Sequence, residues 1–133
     1  MSTHPFRTAM EARDIGGVAA TLGEEAVLHS PVFFRGIEGR ESVVQALRLV
    51  DQVIDDVEFV NEIRDQSTVL LRFKARVGEL DLEGVDLLTL DEDGKIVDLT
   101  VFMRPYSAAT AFRAGMLEKV ASLEGRTEQA TGG

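Results

Sequence analysis

The stretch that decides the fold reads Thr68-Val-Leu-Leu-Arg-Phe-Lys-Ala-Arg-Val-Gly-Glu-Leu-Asp-Leu-Glu-Gly-Val-Asp-Leu-Leu-Thr-Leu-Asp-Glu-Asp-Gly-Lys-Ile-Val-Asp-Leu-Thr-Val-Phe-Met-Arg104. Its first ten residues alternate. Val69, Leu71, Phe73, Ala75 and Val77 fall on one face, and Leu70, Arg72, Lys74 and Arg76 on the other. Period-two alternation of this kind marks a strand with one buried face. A turn at Gly78 leads to a second strand at about 80–90. Asp91-Glu92-Asp93-Gly94 then reads as a hairpin turn, because Asp-Gly tolerates the positive φ angles of tight turns. A third strand follows at about 95–104, with Val97, Leu99, Val101 and Met103 on one face. Upstream, Val57, Phe59, Asn61 and Ile63 alternate against Glu58, Val60, Glu62 and Arg64, which predicts a further strand.

Outside this block the period becomes helical. Val43, Leu47, Val50 and Ile54 share a face, predicting a helix over 40–53. Phe6 and Met10 lie four apart on a first helix. Asp14 is positioned to cap a second, with Ile15, Val18, Ala19 and Leu22 at helical spacing and Gly23 as its stop. Residues 26–30 read as a short strand ended by Pro31, and 35–40 as a loop. Phe112, Met116, Val120 and Leu123 form one stripe of a last helix capped by Ser107, and the polar residues 125–133 read as a disordered tail. Helices grouped around a run of strands predict an α+β fold. The expected form is a single domain over 1–124, a cone-shaped α+β barrel. In it a strongly curved antiparallel sheet wraps around the N-terminal helices, with an extra C-terminal helix and a pocket where the layers diverge.

Composition narrows the function. The chain has 133 residues and no cysteine, which removes thiol nucleophiles, disulfides and zinc–cysteine sites. His4 and His29 are its only histidines, too few for a three-histidine metal site. A net charge of −9 repels phosphate backbones, so nucleic acid is not an expected partner. No run approaches the ~18 uncharged residues of a membrane span. The charged residues Glu11, Arg13 and Asp14 stand where a signal peptide is apolar, so a cytoplasmic location is expected. G-x-G-x-x-G and Walker patterns are absent from the sequence, so no nucleotide cofactor is expected.

Two stretches resemble a known family. Asp14-Ile15 through Leu28-His29-Ser30-Pro31 to Gly39-Arg40-Glu41-Ser42-Val43 is one, and Val85 through Ile96 is the other. Both look like segments of ketosteroid isomerases, members of the nuclear-transport-factor-2-like superfamily together with the SnoaL-type polyketide cyclases. The likeness covers about residues 3–106. In such isomerases a tyrosine and a protonated aspartic acid donate hydrogen bonds to a developing oxyanion, and a second aspartate moves the proton. The protonated acid matches Asp86, the tyrosine matches Phe6 and the proton-moving aspartate matches Ser30. Phenylalanine donates nothing and an unassisted serine cannot take a carbon-bound proton at neutral pH, so steroid isomerisation by that route is not expected. The fold supports many chemistries, so the resemblance fixes the fold more tightly than the activity.

These readings give the candidate site. Asp86 is the candidate acid/base or ligand contact, since an acid among Leu71, Leu88 and Leu99 resists ionisation. His29 is the second catalytic candidate. Strand alternation turns it outward if Leu28 and Ser30 face inward, and a bend at Pro31 reverses that. The expected ligand-lining residues are Phe6, Met10, Ser30, Phe33, Phe34, Val69, Leu71, Phe73, Leu88, Leu99 and Met103. Arg104 and Asp98 are weighed as partners of Asp86, but alternation places them on the opposite face. There Phe59, Val60 and Phe102 are expected to contribute to a homodimer. The acidic cluster Asp51, Asp55, Asp56 and Glu58 lacks calcium-loop spacing and reads as a solvated face, so no metal is expected. The leading expectation is a protein binding a small lipophilic or carbonyl-containing ligand. The rivals are a cofactor-independent isomerase, cyclase or hydrolase using Asp86, and a dimeric interaction module with a vestigial pocket.

Overall fold

The computed structural model describes residues 3–131, with side chains described as far as Leu123. The elements run α1 (Pro5–Glu11), α2 (Ile15–Thr21), β1 (Leu22–His29), β2 (Ile37–Glu38), α3 (Arg40–Val53), β3 (Asp55–Asp65), β4 (Thr68–Val77), β5 (Leu80–Leu90), β6 (Ile96–Arg104) and α4 (Tyr106–Thr131). The fold is α+β, as the patterning predicts.

Local chemistry explains the boundaries. Pro5 sits in the first turn of α1, where a missing N–H costs nothing, and His4 Nδ1 accepts the Phe6 N–H at 3.1 Å. Asp14 caps α2 by accepting the Gly17 N–H at 3.0 Å. The β5–β6 turn is closed by Asp91, whose Oδ1 accepts the Asp93 and Lys95 N–H groups, both at 2.9 Å. Gly94 there has φ +82°, a conformation open to glycine and costly for most other residues.

The six strands form one sheet in the order β2-β1-β6-β5-β4-β3. Two features of the expected barrel are corrected. The sheet is open, because its outer strands, the two-residue β2 and β3, do not pair with each other. It is also mixed: β1 runs parallel to β6, with Leu28 opposite Leu99. Hairpin patterning reads the consecutive antiparallel partners β3 to β6. It does not read a strand that returns to the sheet from the far end of the chain.

Smaller differences have equally local causes. β1 begins at Leu22, so Gly23 lies in the strand rather than stopping α2. Glu24 and Glu25 fall at a register shift between Leu22 and Val27. Part of the expected 35–40 loop pairs with β1 as β2. A register shift between Phe59 and Asn61 exchanges the faces of β3. Phe59 is buried (3% exposed), so it is not on the outer face with Val60 and Phe102, while Ile63 points outward (61% exposed). Glu62 instead turns toward α1, where it accepts the His4 N–H and pairs with Arg7 at 3.7 Å. α4 begins at Tyr106, so Ser107 lies within its first turn. The helix runs beyond the expected 107–123, and the 125–133 tail falls where side chains lie outside the described residues.

The core lies between the inner sheet face and the helices. Val69, Leu71, Phe73 and Ala75 of β4 face it, as do Leu82, Gly84, Asp86 and Leu88 of β5, and α1, α3 and the first half of α4 cover them. Among the described residues no helix is long and apolar enough to cross a membrane.

Candidate functional site

A cavity of about 330 Å³ opens between the sheet and α1, α3 and α4. That lies at the lower end of the ~300–1,000 Å³ usual for small-molecule sites. Its deep end is formed by Phe6, Leu99, Phe73 and Asp86, all buried. Its mouth is marked by exposed lining residues, Ser42 and Gln45 of α3 facing Val120 and Leu123 of α4.

Asp86 is the single titratable side chain on this wall among the described residues. The sheet register explains its surroundings. Leu71 lies opposite it on β4 and Val101 on β6. The diagonal positions on the same face are Val69 and Phe73 on one side, and Leu99 and Met103 on the other. All six are apolar. The carboxyl group has no hydrogen-bond or ion-pair partner among the described residues, and burial alone pushes its pKa from 3.8 up to about 7. A carboxylic acid with that value donates a hydrogen bond when protonated and becomes an acceptor-only anion close to neutral pH.

Gly84 makes room beside it. A Cβ at Gly84 would lie 2.2 Å from the Phe102 carbonyl oxygen and 2.8 Å from Phe73 Cζ. The glycine therefore lets the Phe73 ring lie close against β5, edge-on to Phe59 with ring centres 5.9 Å apart. Phe6 is held from below. Pro5 starts its helix, the buried His4 caps it, and Arg7 donates to the Phe59 carbonyl at 2.8 Å, tying α1 to β3. The His4 pKa is lowered, first by burial and then by Arg64, with Glu62 opposing. The ring thus stays neutral and its Nδ1 free to accept.

The structure brings together at the cavity Phe6, Met10, Ser30, Phe33, Phe73, Asp86, Leu99 and Met103 of the residues expected there. Ser30 Oγ accepts the Val32 N–H at 3.1 Å, and Phe33 stacks under the Arg113 guanidinium at 5.1 Å. Four expected lining residues lie elsewhere. Val69, Leu71 and Leu88 are 0% exposed, packed where the layers close, and present no surface to the cavity. Phe34 is fully exposed, while the half-buried Pro31 and Phe33 before it line the cavity and Val32 packs against the core.

His29 stands on the outer face. Its Nε2 lies 3.0 Å from Asp98 Oδ2, and Asp98 Oδ1 accepts the Thr100 hydroxyl at 2.8 Å. Neither His29 nor Asp98 lines the cavity. Arg104 is also outside, sharing Glu83 with Arg72. Strand alternation predicts both placements, and Pro31 does not reverse the face of β1. The sequence reading did not assign Val50, Ile54, Val57, Val101, Phe112 and Met116 to the wall. For Phe112 and Met116 the signal was present in the helical stripe they share with Val120 and Leu123.

An open α+β sheet carrying an apolar, single-acid cavity under a layer of helices defines the class of the domain. A family model for the SnoaL-like domain matches residues 4–99. A steroid delta-isomerase from Pseudomonas aeruginosa is 32% identical, over 90% of this chain and 89% of that one, with a TM-score of 0.85. An uncharacterized bacterial protein with a cystatin-like fold, from Silicibacter pomeroyi DSS-3, is also 32% identical, over 88% of this chain and 83% of that one, with a TM-score of 0.84. An LEH-like epoxide hydrolase of M. tuberculosis shares the fold at 21% identity, over 89% and 91%, with a TM-score of 0.62. None of the curated proteins matches. The chain belongs to the SnoaL-like domain family of the nuclear-transport-factor-2-like superfamily.

Proposed function

We propose that this protein binds a small lipophilic ligand, with the hydrocarbon body in the cavity and one polar group against Asp86. The observation that carries this reading is the carboxyl group, without a partner among the described residues, at the deep end of a mostly apolar cavity. The carboxyl oxygens keep accessible surface on the cavity side, so a ligand that fills the cavity has to supply their partner, since a polar group left buried without one is costly. Few polar groups in an apolar cleft also suit a lipophilic molecule. A cavity still open beside α4 favours ligand binding over an interaction module with a filled pocket. The same reading keeps the protein in the cytoplasm and joins two copies through the outer sheet face, where Val60, Ile63 and Phe102 are exposed.

The test is titration with N-phenyl-1-naphthylamine, a lipophilic fluorophore uncharged at neutral pH, alongside native mass spectrometry of freshly purified protein. One site per chain is expected, lost when Val101→Trp fills the cavity. Fluorescence enhancement that survives this substitution contradicts the reading.

One observation favours a second reading. Burial holds the Asp86 pKa at about 7, which suits proton transfer at neutral pH, and the sequence resemblance matches Asp86 to the protonated acid of ketosteroid isomerases. One of the two 32%-identical relatives is a steroid delta-isomerase. On this reading the protein is a cofactor-independent isomerase, cyclase or hydrolase, with Asp86 as acid/base and a chemistry that does without a tyrosine at Phe6 and an aspartate at Ser30. Asp86→Asn should then abolish turnover of the substrate while the fold is retained. Unchanged turnover removes Asp86 from the mechanism.

A further inference from the structure

The chemistry of the polar group that meets Asp86 can be taken further, on the basis of the binding function just proposed. Charge comes first. Among the described residues the cavity wall holds one acid and no arginine, lysine or histidine. Nearby cations are engaged away from it: Arg7 with Glu11 and Glu62, Arg72 and Arg104 with Glu83, and Arg113 over Phe33 on the rim. An ionised Asp86 therefore has no counter-charge on the cavity wall among the described residues, and an anionic group placed against it meets repulsion, the Arg113 guanidinium standing at the rim over Phe33.

Donor supply comes second. A ligand carbonyl at the deep end has the single proton of a neutral Asp86 to accept, because Phe6 carries no hydroxyl. Once Asp86 ionises, the deep end formed by Phe6, Phe73, Asp86 and Leu99 offers only acceptors, and a ligand group seated there has to bring the donors; the donors of Ser30, Ser42 and Gln45 lie elsewhere on the lining. The wall itself comes third. Phe6, Phe59 and Phe73 line it together with Met10 and Met103. Ring faces attract cations through their quadrupole, most strongly where water is excluded, and thioether sulfur is polarizable. The chain's net charge of −9 raises the local concentration of cations before any contact is made.

We propose that the ligand is a small lipophilic amine, bound as its ammonium ion against the Asp86 carboxylate, with the Phe and Met side chains around it. Desolvating both charges is costly, and their contact in a low-dielectric site offsets that cost where the ammonium's remaining N–H groups also find acceptors, for which the lining offers the Ser30 hydroxyl and the cavity room for water. No covalent step is involved. The ammonium keeps its proton, and a protonated Asp86 releases its own to solvent on binding.

Calorimetric titration of the full chain with three molecules of one shape separates the possibilities: 4-phenylbutylamine, 4-phenyl-2-butanone and 4-phenylbutanoate. The amine is expected to bind at least about tenfold more tightly than the ketone, the carboxylate not measurably. Asp86→Asn should lower amine affinity by at least about tenfold and leave ketone affinity within about threefold. A ketone that binds wild type as tightly as the amine overturns the amine assignment and leaves the binding function standing. So does amine binding indifferent to Asp86→Asn, which places the amine elsewhere on the acidic surface. If no member of the set binds and the naphthylamine probe also fails, the binding function itself falls.

Discussion

Replacing Asp86 by asparagine should make the protein more stable at alkaline pH and not at acid pH. In the native state the carboxyl group stays protonated up to about 7, whereas in the unfolded chain it ionises near 3.8. Between those values the native state holds one proton more than the unfolded state, so stability falls as pH rises through the window. Folding with a neutral acid is fully favourable below about pH 3.8, and the contribution is lost once pH passes the native value. The interval spans roughly three decades of proton affinity at ~1.4 kcal/mol each, so about 4 kcal/mol separates the two limits. Asparagine has the same shape and does not titrate. Urea unfolding of both proteins at half-unit steps from pH 4 to 8.5 gives the difference directly, and the other carboxylates cancel in it. The variant's advantage should grow by about 4 kcal/mol and level off above pH 7–8. A difference that stays flat across this range refutes the reasoning, because it means that Asp86 ionises in the folded protein as it does in water.

Three further outcomes follow from the geometry. Gly84→Ala should cost at least about 3 kcal/mol in chemical denaturation, because the new methyl meets the rigid Phe102 carbonyl oxygen at 2.2 Å; a loss under 1 kcal/mol would contradict the close strand approach. Asp14→Ala should lose about 1 kcal/mol through the α2 cap, and a stability matching wild type would mean that water serves Gly17 as well. The cysteine-free chain allows a clean cross-link: a Cβ at Gly115 lies 3.7 Å from Val53 Cβ, within the usual ~3.5–4.5 Å of a disulfide. Val53→Cys with Gly115→Cys should oxidise spontaneously and gain about 2–4 kcal/mol over its reduced form. Failure to oxidise would place α4 away from α3.

The fold was legible because its signals are local. Alternation along β4 and β5, Asp-Gly at the β5–β6 turn and the helical stripe ending at Ile54 each depend on neighbours in sequence. What escaped depends on distant partners. The parallel pairing of β1 with β6 leaves no periodic trace in either strand. The register shift after Phe59 cannot be read from residues that would alternate equally well without it. At the site, Asp86, Phe73, Leu99 and Met103 were placed because an inward strand face and a cavity wall coincide over most of the sheet. They part at Val69, Leu71 and Leu88, where the helices rest directly on the strands. Whether a buried residue touches empty space or another side chain is a three-dimensional property, and patterning alone reports only burial.

The most direct test is the pH titration of the Asp86 carboxyl carbon by nuclear magnetic resonance, with the signal assigned by its disappearance in Asp86→Asn. An unpartnered acid enclosed by apolar side chains should titrate with a midpoint of about 7. A midpoint near the ordinary 3.8 would mean that water or a partner already stabilises the carboxylate, and would contradict the account.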